Sequence, residues 1–293
     1  MNYDVIVVGS GSGGATVATR LSEDPNISVL LLEAGPDYPN IDSLPDDVKF
    51  NHGTGTDLGI GLNSAVGGDH DWQFTGTATA TSPPMRVPRG RVTGGTSAIN
   101  GSVFLRGLPE DFDGWASRGN EQWAYEKVFP YLNKIETDTN YSGDYHGNDG
   151  PIMVRRFMPD ELMNDQAAFT DACRDAGFAD SPDHNDPDST GIGPLPLNNP
   201  NDIRWSTSIG YLSQARHRIN LTIRPNCTAH KVVFDGHRAS GVVVESGGET
   251  FTVTGNEIIL SAGPIASPQL LMLSGIGPAA HLREFDIPVV LDS

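Results

Sequence analysis

Short unbroken apolar runs open the chain and are separated by glycine. Val5-Ile6-Val7-Val8 is a run of β-branched residues with no polar alternation, the pattern of a strand buried on both faces of a parallel sheet. Gly9 to Gly14 follows as a turn, and Ala15 to Leu21 predicts a helix whose small residues suit close packing on a sheet. Ser28 to Leu32 predicts a second buried strand, ending at Glu33-Ala34-Gly35. Together these make a β-turn-α-β unit of about 30 residues.

The pattern then changes. Residues 36–85 are rich in Gly, Asp, Pro, Asn and Thr and predict a long loop. Residues 86–107 are punctuated by glycine, with little charge apart from arginines. Residues 108–137 predict helix, with Trp115, Trp123, Val128, Phe129 and Leu132 as apolar anchors. Ile152-Met153-Val154 predicts a short strand, Asp165 to Gly177 a helix, residues 180–202 a long polar loop, and Ser206 to Arg216 a short helix. Strands are expected at 221–225 and 229–234. A hairpin is expected from 240–246 and 249–254 across Gly247-Gly248, and a further buried strand at 257–263. Pro268 to Leu273 begins a helix, and residues 287–293 predict a strand that stops where the sequence stops.

Charge narrows the partners. Across 293 residues, 37 Asp+Glu face 19 Lys+Arg, a formal net charge of −18. Nucleic acid and anionic lipid would both be repelled. The 26 Asp and only 4 Lys are a balance suited to high salt, where screening removes self-repulsion. Cys173 and Cys227 are too few for a disulfide framework and are not spaced as metal ligands. No stretch approaches the ~18 apolar residues of a membrane span. Met1 leads straight into the first strand without a basic, apolar export signal, so the expected localisation is cytoplasmic.

The first constellation of chemistry is Gly9-x-Gly11-x-x-Gly14 between a strand and a helix, with Ser10, Ser12 and Gly13 filling the turn. Gly9 permits the turn, Gly11 admits a pyrophosphate, and Gly14 lets helix and strand close together. Glu33, 19 residues past the last glycine and beside Ala34, can accept hydrogen bonds from ribose hydroxyls and would repel a 2′-phosphate. This unit alone does not separate FAD from NAD.

Arg86 to Gly107, which contains Arg91-Val92-Thr93-Gly94-Gly95-Thr96-Ser97-Ala98-Ile99-Asn100-Gly101-Ser102-Val103, resembles the signature of the glucose–methanol–choline (GMC) flavoprotein oxidoreductases. Ser261 to Pro278 is similar to the family's second signature, and His70-Asp71-Trp72 also resembles the family. The resemblance covers nearly the whole chain. It implies an α/β fold: a Rossmann-like FAD-binding domain of parallel sheet with a β-hairpin insertion, plus the first part of an α+β substrate domain. The expected boundaries are 1–151 with 221–293 for the former and 152–220 for the latter. It implies FAD, with Trp72, Arg91, Gly94, Gly95, Thr96, Ser97, Asn100, Gly101, Ser102, Val103, Ala229, Ser261, Ala262 and Gly263 joining Gly9 to Gly14, Glu33 and Ala34 around it. Asn100 to Val103 would run along the isoalloxazine. Some members carry a flavin-linked histidine just before this asparagine. Here the residue is Ile99, so FAD is expected to be dissociable.

The family oxidises small-molecule alcohols by hydride transfer to flavin N5, and a histidine in its C-terminal part handles the proton. None of the eight histidines here lies in a segment resembling that motif, so no catalytic residue is assigned, and each is expected to be exposed or structural. No metal site is expected either. Asp180, Asp183, Asp186 and Asp188 lack a Ca²⁺-loop pattern and read as a solvated acidic loop. The expected function is the flavin-binding part of an alcohol oxidoreductase, with a second polypeptide as one way to complete it. A non-catalytic FAD- or nucleotide-binding module and an NAD-dependent dehydrogenase are the alternatives. The Asp-rich surface predicts an unfolding midpoint that rises from low to molar salt. A midpoint that stays level or falls contradicts a high-salt adaptation.

Overall fold

The computed structural model describes residues 2–50 and 65–293. In chain order its strands are β1 (Asn2–Val8), β2 (Val29–Leu32), β3 (Thr75–Gly76), β4 (Met85–Arg86), β5 (Glu136–Asp138), β6 (Ile152–Val154), β7 (Leu221–Arg224), β8 (Cys227–Asp235), β9 (Arg238–Ser246), β10 (Glu249–Leu260), β11 (Ile276–Gly277) and β12 (Leu291–Asp292). Its helices are α1 (Ser12–Leu21), α2 (Asp46–Lys49), α3 (Pro109–Ala116), α4 (Tyr125–Lys134), α5 (Asn164–Asp175), α6 (Ser213–Ala215), α7 (Gly263–Leu273) and α8 (Ala279–Glu284). They form two compact units, residues 1–100 with 206–293, and residues 101–205. The sequence boundaries at 151 and 220 fall elsewhere. The reason for the first is that β5 pairs in parallel with β6, which ties 136–138 to 152–154.

The first unit is built on a six-stranded sheet of order β7-β2-β1-β10-β9-β8. β1 lies between β2 and β10 and is parallel to both, with Val8 opposite Leu32 on one side and Leu260 on the other. Its apolar run is continuous because both faces are covered. Val5 and Val7 pack with Ala15 and Ala18 of α1, Val29, Leu31 and Leu212. Ile6 and Val8 pack with Leu30, Leu32, Val242, Val244 and Leu270 of α7. The hairpin across Gly247-Gly248 forms as expected, both glycines having positive φ.

The expected separation of 249–254 from 257–263 does not hold. β10 is a single strand whose first half runs antiparallel to β9 and whose second half runs parallel to β1. Gly255 falls in the second half, and a Cβ there would stand 2.8 Å from Ile6. The strand expected at 287–293 shrinks to β12, because Pro288 has no N–H and the amides of Val290 and Leu291 both donate to the Gly275 carbonyl.

The second unit departs further from its pattern. Neither α3 nor α4 buries a residue, and Trp115 and Trp123 are 49% and 52% exposed. Their rings meet edge to face at 5.7 Å, and Trp115 likewise meets Phe112 at 5.6 Å, so the aromatics pack on one another rather than into a core.

What the unit buries instead is charge. Glu136 and Asp138, on one face of β5, are fully enclosed. Glu136 pairs with Arg106 at 2.6 Å, and Asp138 with Arg156 at 2.6 Å. His146 lies between them, its Nδ1 3.1 Å from Glu136 and its Nε2 2.8 Å from Asp183. Glu136, Asp138 and His146 bring ligand atoms within 4.8 Å of one another, the spacing of a metal-ligand set. The same carboxylates already accept guanidinium hydrogens, so the protein supplies the cations itself. Asp183 is therefore not the solvated loop residue expected from sequence, whereas Asp180 pairs on the surface with Arg174.

Burial alone would raise the Asp183 pKa. The Asn185 amide, Arg156 and His146 overcome that and hold it below the usual 3.8. Its contribution is thus present above that value and lost as pH falls through the lower folded one. Asp183→Asn should cost about 1.5–3 kcal/mol at neutral pH, the scale of a hydrogen bond to a charged group. It should also flatten the acid limb of a pH–stability curve followed by circular dichroism. An unchanged acid limb contradicts this account of the network.

Candidate functional site

The carboxyl ends of β1, β2 and β10 converge, and the segments that follow them are tied together. The Gly9 amide donates to the Leu32 carbonyl, and the Ser261 amide to the Val8 carbonyl. Gly9 has φ +94°, and a Cβ there would stand 2.6 Å from the Ser261 carbonyl oxygen, so this turn requires glycine. The second glycine segment reaches the same point. The Gly94 amide donates to Ser10, and Gly95, at φ +53°, would press a Cβ to within 2.6 Å of the Gly11 Cα. Two glycine motifs some 80 residues apart in sequence thus form one surface.

That surface bounds a cavity of about 700 Å³. Of the residues singled out from sequence, Gly9, Gly11, Ser12 and Gly13 line it, with Glu33 and Ala34 at the end of β2. Trp72, Gly95, Thr96, Ala229, Ser261, Ala262 and Gly263 line it as well. Ser10, Gly14, Arg91, Gly94, Ser97 and Asn100 are not among its lining. The Ser97 hydroxyl is occupied internally, donating to the Gly94 carbonyl at 2.6 Å and accepting from the Thr207 amide at 3.0 Å. Gly101, Ser102 and Val103 belong to the other compact unit. There Ser102 is buried with φ +59° and accepts from the Asn198 amide, and Val103 is half exposed.

The wall was only partly visible in the sequence. Phe74 lines the cavity and stacks on Trp72 at 5.8 Å, nearly parallel. The two-residue spacing from Trp72 was the available signal. Arg89, Thr228, His230 and the first turn of α7 also line it. Arg89 and the first turn of α7 lie within the two signature segments, whereas no local motif announces Thr228 and His230, which β8 brings in through sheet order.

The electrostatics of the cavity oppose those of the chain. The first turns of both α1 and α7 line it, and neither carries an acidic residue or a side-chain cap. Both helices therefore turn unpaired N–H groups and the positive ends of their dipoles toward an anion. Among the described lining residues Glu33 is the only carboxylate. Glu33 is also less free than its sequence position suggested. It is buried, and it accepts from the Ser10 amide at 3.0 Å, the Ser10 hydroxyl at 2.7 Å and the Gly35 amide at 2.9 Å. Burial pushes its pKa up, and these hydrogen bonds oppose the push.

Of the histidines expected to be exposed or structural, two are buried within hydrogen-bond networks, His146 in the network above and His70. His70 Nε2 is 2.8 Å from the Tyr38 hydroxyl and its Nδ1 2.7 Å from Asp47. Burial, Asp47 and Asp69 push the Tyr38 phenol pKa up, which keeps it a donor. His52 lies outside the described residues.

A sequence model of the GMC oxidoreductase family matches residues 3–290. The chain belongs to the GMC oxidoreductase family. It is 40% identical over 301 residues to an oxygen-dependent choline dehydrogenase of Burkholderia multivorans, covering 99% of this chain and 50% of that protein. The pyridoxine 4-oxidase structure from Mesorbium loti superposes with a TM-score of 0.89 at 30% identity, over 99% of this chain and 55% of the other. An FAD-dependent oxidoreductase structure from Chaetomium thermophilum gives 0.86 at 29% identity, over 99% and 50%. The chain thus spans about half the length of the relatives it matches. The shared fold agrees with the α/β, Rossmann-like architecture expected from sequence. No helix among the described residues is long and apolar enough to cross a membrane.

Because Glu33 braces the glycine turn, Glu33→Ala should do more than remove a ligand contact. It should lower stability by about 1–3 kcal/mol, the cost of unpairing buried donors on Ser10 and Gly35. Thermal unfolding in the absence of any nucleotide checks this. An unchanged midpoint would mean that the carboxylate serves the ligand alone.

Proposed function

We propose that this chain is the flavin-binding part of an FAD-dependent oxidoreductase acting on the CH–OH group of a small alcohol. The observation that carries the reading is the single cavity wall made by both glycine motifs and two uncapped helix N-termini at the strand ends, in a member of this family. A diphosphate suits the first turns of α1 and α7, where main-chain donors meet an anion without a competing carboxylate. Glu33, at the tip of β2, suits a ribose hydroxyl and disfavours a 2′-phosphate. The parallel Trp72–Phe74 pair offers apolar area to a flat group. FAD, when bound, supplies the acceptor of a hydride from the alcohol carbon.

Room for that group is present where it is needed. At Gly11 a Cβ would meet only the Gly95 Cα, at 3.8 Å, so the space beyond belongs to the cavity and not to packed protein. Ile99, buried at 3% exposure, stands where some members attach flavin through histidine, so we expect FAD to be held without a covalent bond. No residue of this chain is assigned the alcohol's proton. The activity would draw on the family's remaining length, in the same or a second polypeptide.

The test is a titration of the chain with FAD, followed by flavin fluorescence. Wild type should bind, acid precipitation should release the flavin intact, and Gly11→Val should lose binding while keeping its circular dichroism. Wild type that ignores FAD, or Gly11→Val that binds as well as wild type, contradicts the placement. Bleaching of bound flavin by choline or a primary alcohol supports the oxidoreductase reading. Binding without bleaching by the chain alone fits either reading, whereas binding without bleaching by any alcohol once the chain is joined to the family's remaining length favours a flavin-binding module instead.

A further inference from the structure

Behind the exposed Trp72 wall lies a chain of buried polar contacts that the cavity itself does not use. The segment 70–72 runs antiparallel to 89–91 and is stitched to it. The Trp72 amide donates to the Arg89 carbonyl at 2.9 Å, and the Arg91 amide to the His70 carbonyl at 2.8 Å. The Asp71 carboxylate, buried between them, accepts from the amides of Gly67, Gln73 and Arg89. Gln73 is held at φ +56°, a conformation unfavourable for a residue with a side chain. Across that turn Trp72 and Phe74 lie nearly parallel, and Arg91 places its guanidinium 5.2 Å from the Trp72 ring centre.

The His70 side chain ties this ribbon to the segment after β2. Its ring is 9% exposed and makes an edge-to-face contact with Tyr38 at 5.6 Å. The Tyr38 hydroxyl at Nε2 and the Asp47 carboxylate at Nδ1 thus satisfy both ring nitrogens. Tyr38 and Asp47 both belong to the segment after β2. That segment is itself fixed, through the Pro36 carbonyl, which accepts the Thr93 amide, and through Asp37, which takes a two-pronged contact from Arg216. A buried histidine on two polar partners is costlier to place than an apolar side chain of its size, so its geometry is specific.

We propose that His70 is a positioning residue for the cavity wall: the Tyr38–His70–Asp47 chain sets where Trp72 stands against a bound flavin nucleotide. This rests on the reading of the cavity given above, and the test separates the two. The first measurement uses no FAD. The Trp72 contribution to fluorescence is obtained by subtracting the Trp72→Phe spectrum. It should shift to the red in both His70→Ala and Tyr38→Phe, the second of which removes only a hydroxyl. The second measurement is FAD affinity. Each variant should weaken it about three- to tenfold, the range of one or two lost hydrogen bonds. Neither should weaken it further in a Trp72→Phe background.

An unmoved Trp72 spectrum in both variants overturns the proposal. So does a loss of affinity that persists in full when Trp72 is already absent, since that is the signature of a merely structural histidine. If wild type fails to bind FAD while the Trp72 spectrum still moves, the cavity reading falls and the positioning of the wall stands.

Discussion

The parallel pairing of β1 with β2 on one side and β10 on the other is the constraint from which the site follows. It brings three strand ends to one edge, and each is followed by a turn that must avoid the other two. Gly9 closes to van der Waals range of the Ser261 carbonyl, and Gly95 closes on Gly11 in the same way. Side chains at these points would force the turns apart. What remains between them is a groove rimmed with main-chain amides, because the two helices that leave the edge begin there.

The groove and the surface carry opposite electrostatics. A chain with 37 carboxylate side chains places one of them, Glu33, among the described residues lining the cavity, and ties that one to Ser10 and Gly35. An excess of acid elsewhere would push away an anionic ligand at long range, but salt screens it within about 10 Å at 0.1 M. The short-range donors of α1 and α7 then dominate. The same economy governs the second unit, where the buried Glu136 and Asp138 and the partly buried Asp183 meet two guanidinium groups and an imidazole.

Much of the first unit could be read along the chain because its signals are local. Val5 to Val8 declares a strand buried on both faces, Gly247-Gly248 declares a hairpin, and Gly9 to Gly14 with Glu33 declares a nucleotide turn. The unread parts depend on distant partners. β10 looks like two strands because its neighbours change along its length, which no window of its own sequence records. Glu136-Thr137-Asp138 shows no apolar pattern, since buried ion pairs and β6 hold it. Trp115 and Trp123 look like core residues, yet they stack on each other at the surface. In the site, the motif glycines and the Gly263 start of α7 were legible, whereas Phe74, Thr228 and His230 were not, and the internal ties of Glu33 and Ser97 were hidden by the same locality.

Hydrogen–deuterium exchange of the chain with and without FAD tests the central claim most directly, since it reads main-chain amides one segment at a time. Exchange should slow at Gly11 to Ala15, Gly94 to Thr96, and Gly263, Ile265 and Ala266, together and at the same FAD concentration. Bound FAD that leaves these three segments unprotected, while slowing exchange elsewhere, would contradict it.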